Sequence, residues 1–173
     1  MSMIGEYFRV TAAQLDRAIE DPDWALAYIE DTFDAEESAD SMGGEDGPPP
    51  AGARHFSTDK AWHLLDFLLR RVDFPVDVVH GENPLGDAGD WGYGPPCHLP
   101  VDRVRLAAEA LSGLTYDRLL DGVDPRDLTA AEIYPLGWED SASLDWARDW
   151  FAGLTTYFEA AARDGHAVVV WLD

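Results

Sequence analysis

Apolar side chains recur along this chain with two periods, and the changes of period mark out its elements. Ile4 to Val10 is apolar and aromatic enough for a strand. Thr11 follows as a helix cap with Gln14 three residues on, the capping-box spacing, and Ala12, Leu15 and Ile19 share one helical face. Asp21-Pro22 reads as a second helix start, with Ala25, Leu26, Ile29 and Phe33 as its stripe. Asp59 to Val72 is the next helix, carried by Ala61, Leu64, Leu65, Leu68 and Val72 and widened by Phe67 and Leu69. Phe74 to Val79 is short and β-branched, a strand or a brief buried turn.

Pro100 opens a helix faced by Val104, Ala107, Ala108 and Leu111, which Gly113 ends. Short helical segments follow over Thr115 to Leu120 and Pro125 to Glu132. From Ser141 or Ser143 onward, Ala147, Trp150, Phe151, Leu154, Tyr157, Phe158, Ala161 and Ala162 recur at three and four, and Gly165 terminates the helix. His166 to Leu172 reads as a strand too apolar for an exposed edge, so it belongs centrally, beside the N-terminal strand. The pattern predicts an α+β fold: one helix-rich domain over residues 1–173, packed around a small mixed sheet that contains both terminal strands.

Two stretches break the pattern. Residues 35–54 are acidic and rich in glycine and proline, with nothing to build a core, and are expected to form a mobile surface loop. His80 to Pro100 carries five glycines and four prolines, but also Trp91, Tyr93, Cys97 and Leu99, groups large enough to pin an ordered loop of the kind that often forms a site.

Charge changes the picture more than size does. Across 173 residues, 12 basic side chains face 34 acidic ones, a net charge of -22. That argues against nucleic acid, whose phosphates need a basic surface, and against anionic membranes. Residues 30–46 alone hold eight carboxylates and no base, so a basic protein is the partner this surface would attract. No apolar run approaches a membrane span, and the first residues lack the features of a signal peptide. With a single cysteine, Cys97, the expectation is a cytoplasmic protein. One lysine among the twelve basic residues suggests the coding bias of a high-GC bacterium.

Candidate chemistry is sparse. Asp59, His63 and Asp66 lie four and three apart, which places them on one helical face beside Trp62; a carboxylate there would orient the imidazole as a base, or the three would simply cap and solvate the helix. His63, Asp66, His80, Cys97 and His98 are all zinc-competent, but no metal motif spaces them. Cys97 and His98 are adjacent, a poor geometry for a nucleophile and its base. Tyr93-Gly94-Pro95-Pro96 and Ile133-Tyr134-Pro135-Leu136-Gly137-Trp138 read as rigid aromatic turns, each either a pocket wall or an anchor for its own loop. Glu132, Glu139 and Asp140 could pair for hydrolysis, as chance alone would arrange among 34 acids. The weak candidate surface is therefore Asp59, Trp62, His63, Asp66, Tyr93, His98, Tyr134 and Trp138, with no catalytic, metal or cofactor residue assigned and no cofactor expected.

Taken in order, Met3-Ile4-Gly5 with Tyr7, Asp59-Lys60-x-Trp62 leading to Leu68-Leu69, Tyr93-Gly94-Pro95-Pro96, Ile133-Tyr134-Pro135 with Trp138, and Phe158 with Ala161-Ala162 before the Val168 to Trp171 strand resemble the bacterial DUF1877, or YfbM-like, family of unknown function. The resemblance spans essentially the whole chain and implies one α+β domain with no assigned activity. It also implies a histidine where this chain has Asp66, and threonine-glycine where it has Arg70-Arg71; here a histidine stands one turn earlier, at His63. The expected role is protein interaction or inhibition, immunity-like, toward a basic partner. The alternative is a small-ligand protein or enzyme using a pocket between the Asp59–Asp66 helix and the Trp91–His98 loop.

Overall fold

The computed structural model of the chain describes residues 2–41 and 52–173. Strand β1 (Gly5–Val10) leads into α1 (Ala12–Glu20) and α2 (Pro22–Ser41), followed by β2 (His55–Asp59) and α3 (Trp62–Arg71). Next come the short strands β3 (Asn83–Pro84) and β4 (Cys97–Leu99), and then α4 (Val101–Ser112), α5 (Tyr116–Leu120) and α6 (Pro125–Ala130). A 3-10 turn at Ser143–Ala147 precedes α7 (Arg148–Arg163), and β5 (Ala167–Leu172) ends the fold.

The five strands form one sheet in the order β2-β1-β5-β4-β3. All four pairings are antiparallel, a refinement of the mixed sheet expected from the sequence. The apolar run of β5 sits in the middle, against β1, where the absence of polar side chains placed it. Alternation along each strand sends its residues to opposite faces. Tyr7, Leu99, Val168 and Val170 enter the larger core, built with α3, α4 and α7. Phe8, Val10, Ala167 and Val169 enter a smaller core under α1 and α2, with Leu15, Ala18, Ala25 and Ile29.

Of three local expectations in the N-terminal helices, one holds and two change. The Thr11–Gln14 capping box forms as read, with Thr11 Oγ1 accepting the Gln14 N–H at 3.1 Å. The helix begun at Pro22, however, runs on through Ser41, so the acidic loop does not begin at residue 35; its remaining stretch, 42–51, lies outside the described residues. Helix α2 is held to the sheet at Glu36, whose carboxylate accepts the Arg54 N–H at 2.7 Å and the His55 N–H at 3.2 Å. Phe33 does not join the core: it is exposed and sets its ring edge-on to His55.

The strand β2 was not expected. It offers only two inward positions, Phe56 and Thr58, and one of them is polar, so its alternation is nearly silent. Asp59 closes this strand with a left-handed φ of 47° and does not cap α3, which starts at Trp62. The segment after α3 is a buried turn, with Val76, Val78 and Val79 inside. Gly5 is required by packing: a Cβ there would lie 2.3 Å from Thr58 Oγ1 and 2.9 Å from Trp62 Cβ.

Candidate functional site

Helix α3 enters the larger core through Leu64, Leu65, Leu68 and Leu69, and this fixes the rotation that turns Trp62, His63 and Asp66 toward neighbouring loops. Trp62 is buried, and its indole N–H donates to the Met3 carbonyl at 3.1 Å. The His63 ring stacks on it at 4.7 Å with an interplanar angle of 7°. Tyr134 stacks on the indole as well, and His80 meets it edge-on at 6.0 Å.

His63 is not a free base. Its Nδ1 accepts the backbone N–H of Tyr134 at 2.9 Å, so that lone pair is spent on holding the 131–142 loop and the ring proton resides on Nε2. Burial lowers its pKa against the opposing pull of Asp66, which keeps the ring neutral as an acceptor must be.

One turn along α3, Asp66 meets two groups from the buried turn. On its own helix, both oxygens of its carboxylate share the Arg70 Nε–H, at 2.8 and 2.9 Å. His80 Nδ1 lies 3.7 Å from Asp66 Oδ1 and 3.4 Å from Asp77 Oδ1. Asp77 Oδ1 also accepts the N–H groups of Val79 and His80, at 3.2 and 2.9 Å, which sets the loop as an Asx turn. The Asp77 side chain raises the pKa of His80. Burial pushes Asp77 up, but the His80 ring together with the His80 and Val79 amides outweighs it and holds Asp77 below the usual carboxylate range. Beside these groups is a cavity of about 120 Å³ lined by Leu69, Phe74, Val76 and Val78. Ligand pockets for drug-sized molecules run to roughly 300–1,000 Å³, so this one has room only for an ion or a few waters.

The other sequence candidates lie elsewhere. Asp59 is the last residue of β2, off the face of α3. Adjacent strand residues point to opposite faces, so Cys97, paired with Val170, lies on the side of the larger core, while His98, paired with Val169, lies on the α1–α2 side. That separation removes both the Cys97–His98 pair and His98 as a partner of His63. Burial, with Asp77 adding to it, raises the Cys97 thiol pKa, the opposite of an activated nucleophile. Tyr93 is exposed and does not anchor its loop through the ring; its N–H donates to the Leu172 carbonyl at 2.8 Å, and Trp91 packs edge-on against Trp171. Trp138 is buried and donates to the Ile133 carbonyl at 2.9 Å, which closes its own loop. Glu132, Glu139 and Asp140 are exposed, and Asp140 caps the Ser143 amide at 3.1 Å.

The structure thus gathers Trp62, His63, Asp66 and Tyr134 and leaves Asp59, Tyr93, His98 and Trp138 outside. It adds His80 and Asp77. The spacing of Asp77 three residues before His80 was the available signal for this turn, and it was masked by the valines between them.

The model of one family, the domain of unknown function DUF1877, matches residues 1–171. The chain belongs to the DUF1877 family. Among solved structures, this DUF1877 domain is similar to YfbM from Escherichia coli, itself described as a protein of unknown function. The two share 18% sequence identity at a TM-score of 0.65, over 98% of this chain and 99% of that one. At that identity the likeness concerns the fold. No curated protein matches the chain. Among the described residues, no helix is long and apolar enough to cross a membrane.

Proposed function

We propose that this DUF1877 domain is an interaction protein that binds a basic protein partner through the acidic face of α2. The observation that carries the reading is the charge pattern of that helix. Glu30, Asp31 and Asp34 are exposed, within three or four residues of one another, and among the described residues none meets a base. Like charges at this spacing cost about 0.2–0.5 kcal/mol per pair. The last turn holds no basic residue, so the helix itself supplies no cation to balance the negative end of its dipole. The fold gains nothing from this arrangement, whereas a partner bearing arginine or lysine would meet it with faster encounter and a complementary field. An inhibitory, immunity-like role toward a basic enzyme is one form such binding would take.

The test is affinity capture from native lysate at low salt and at about 0.3 M salt, where the screening length falls below roughly 8 Å. The reading expects one stoichiometric basic protein whose recovery falls with salt. Recovery of no basic protein under either condition would contradict it.

A further inference from the structure

The geometry points to a second site, independent of α2: Asp66, Asp77 and His80 form a three-ligand centre for a divalent transition ion of the zinc type. One nitrogen and two carboxylate oxygens, all within 4.8 Å of one another, converge from α3 and the turn that follows it. Zinc holds such ligands at about 2.0–2.2 Å, which puts neighbouring ligand atoms roughly 3.3–3.6 Å apart in a tetrahedron. The two imidazole–carboxylate separations are 3.4 and 3.7 Å, so the side chains need only small adjustments to close on an ion.

Two observations indicate that the cluster is built to hold a cation. His80 Nδ1 is shielded from solvent and faces both carboxylates, at 3.4 and 3.7 Å, without a well-formed hydrogen bond to either; a metal between them would satisfy all three. Arg70 meanwhile lies across the same carboxylates, its Nε–H shared between both Asp66 oxygens and its guanidinium 3.7 Å from Asp77 Oδ2, while its side chain remains 65% exposed. A guanidinium that exposed swings away at little cost and leaves two carboxylates for the ion. The imidazole favours zinc and its neighbours over calcium, which takes six to eight oxygens. With three protein ligands the fourth position falls to water, and the small adjoining cavity has room for it.

The competition with Arg70 gives the test its direction. The full chain, stripped of metal, is titrated with Zn²⁺ by calorimetry and with Co²⁺ by visible absorption, whose d–d bands report coordination. The expected result is one ion per chain, a loss of at least about tenfold in affinity for His80→Gln and for Asp77→Asn, and severalfold tighter binding for Arg70→Gln. Arg70→Gln alters an exposed side chain and keeps the fold, so its result stands even if a ligand variant is unstable. His166→Gln, on a histidine remote from the cluster in the chain, should leave binding unchanged. Either of two results overturns the proposal: no stoichiometric binding to the parent or to Arg70→Gln at about 100 µM metal, or binding that His80→Gln leaves intact.

Discussion

Replacing His63 by alanine tests the assignment of that ring as a structural acceptor. The change removes the partner of the Tyr134 N–H, bonded at 2.9 Å, and the ring stacked on Trp62 at 4.7 Å. A backbone donor left without its acceptor costs about 1–3 kcal/mol, toward the low end here because the site is half-buried and water can reach it. The lost stacking adds about 0.5–1.5 kcal/mol. The sum is about 2 kcal/mol, which for a chain of this size lowers Tm by about 4–8 °C. The value exceeds the ~1 kcal/mol typical of a solvent-facing side chain and so separates the two roles.

The same variant carries a pH signature. Burial depresses the His63 pKa below its ordinary 6.5, so the unfolded chain takes up the proton first as pH falls. The stabilisation is therefore full above about pH 6.5 and is lost as pH drops through the depressed folded value. Thermal unfolding of parent and His63→Ala should show the full gap near pH 8 and a smaller gap near pH 5. His98 and His166, whose pKa values burial also lowers, titrate in both proteins and cancel in the difference. A gap that stays constant with pH, or a Tm loss below about 1 °C, would refute the acceptor role.

Four further outcomes follow from the fold. Glu36→Ala should cost about 1–3 kcal/mol in denaturant unfolding, because the Arg54 and His55 amides lose a charged acceptor. Phe158→Asp should remove cooperative unfolding or cost more than about 4 kcal/mol, since Phe158 is wholly buried. Trp171→Asp, at a half-buried position against Trp91, should cost clearly less. Neutralising Glu30 and Asp34 as Glu30→Gln with Asp34→Asn should raise stability by about 0.3–1 kcal/mol at low ionic strength, a gain that salt erases.

The elements with strong apolar periodicity were legible in the sequence. Helix α7, with Phe151, Leu154, Tyr157 and Phe158 buried, and the central strand β5 stand where their patterns put them. Elements whose position depends on tertiary contacts were not. Strand β2 has one apolar inward residue and is recruited by pairing with β1, and the end of α2 is secured by Glu36 reaching His55 of β2, a contact between residues 19 positions apart. The site shows the same division. His63 and Asp66 share α3 with Trp62, which helical spacing made visible, whereas Asp77 and His80 reach them through a turn whose shape the Asp77 carboxylate sets. Cys97 and His98, adjacent in sequence, were separated by the alternation of a strand that only its partners made recognisable.

The proposed interaction places recognition of a basic partner on the acidic face of α2 rather than on net charge in general. Two variants of equal charge decide it: one neutralises Glu30, Asp31 and Asp34, the other neutralises the exposed Asp87, Glu109 and Glu159. Captured from the same lysate at low salt, the partner should be recovered by the second variant as by the parent and lost by the first. Equal recovery by both, or equal loss from both, would contradict the claim.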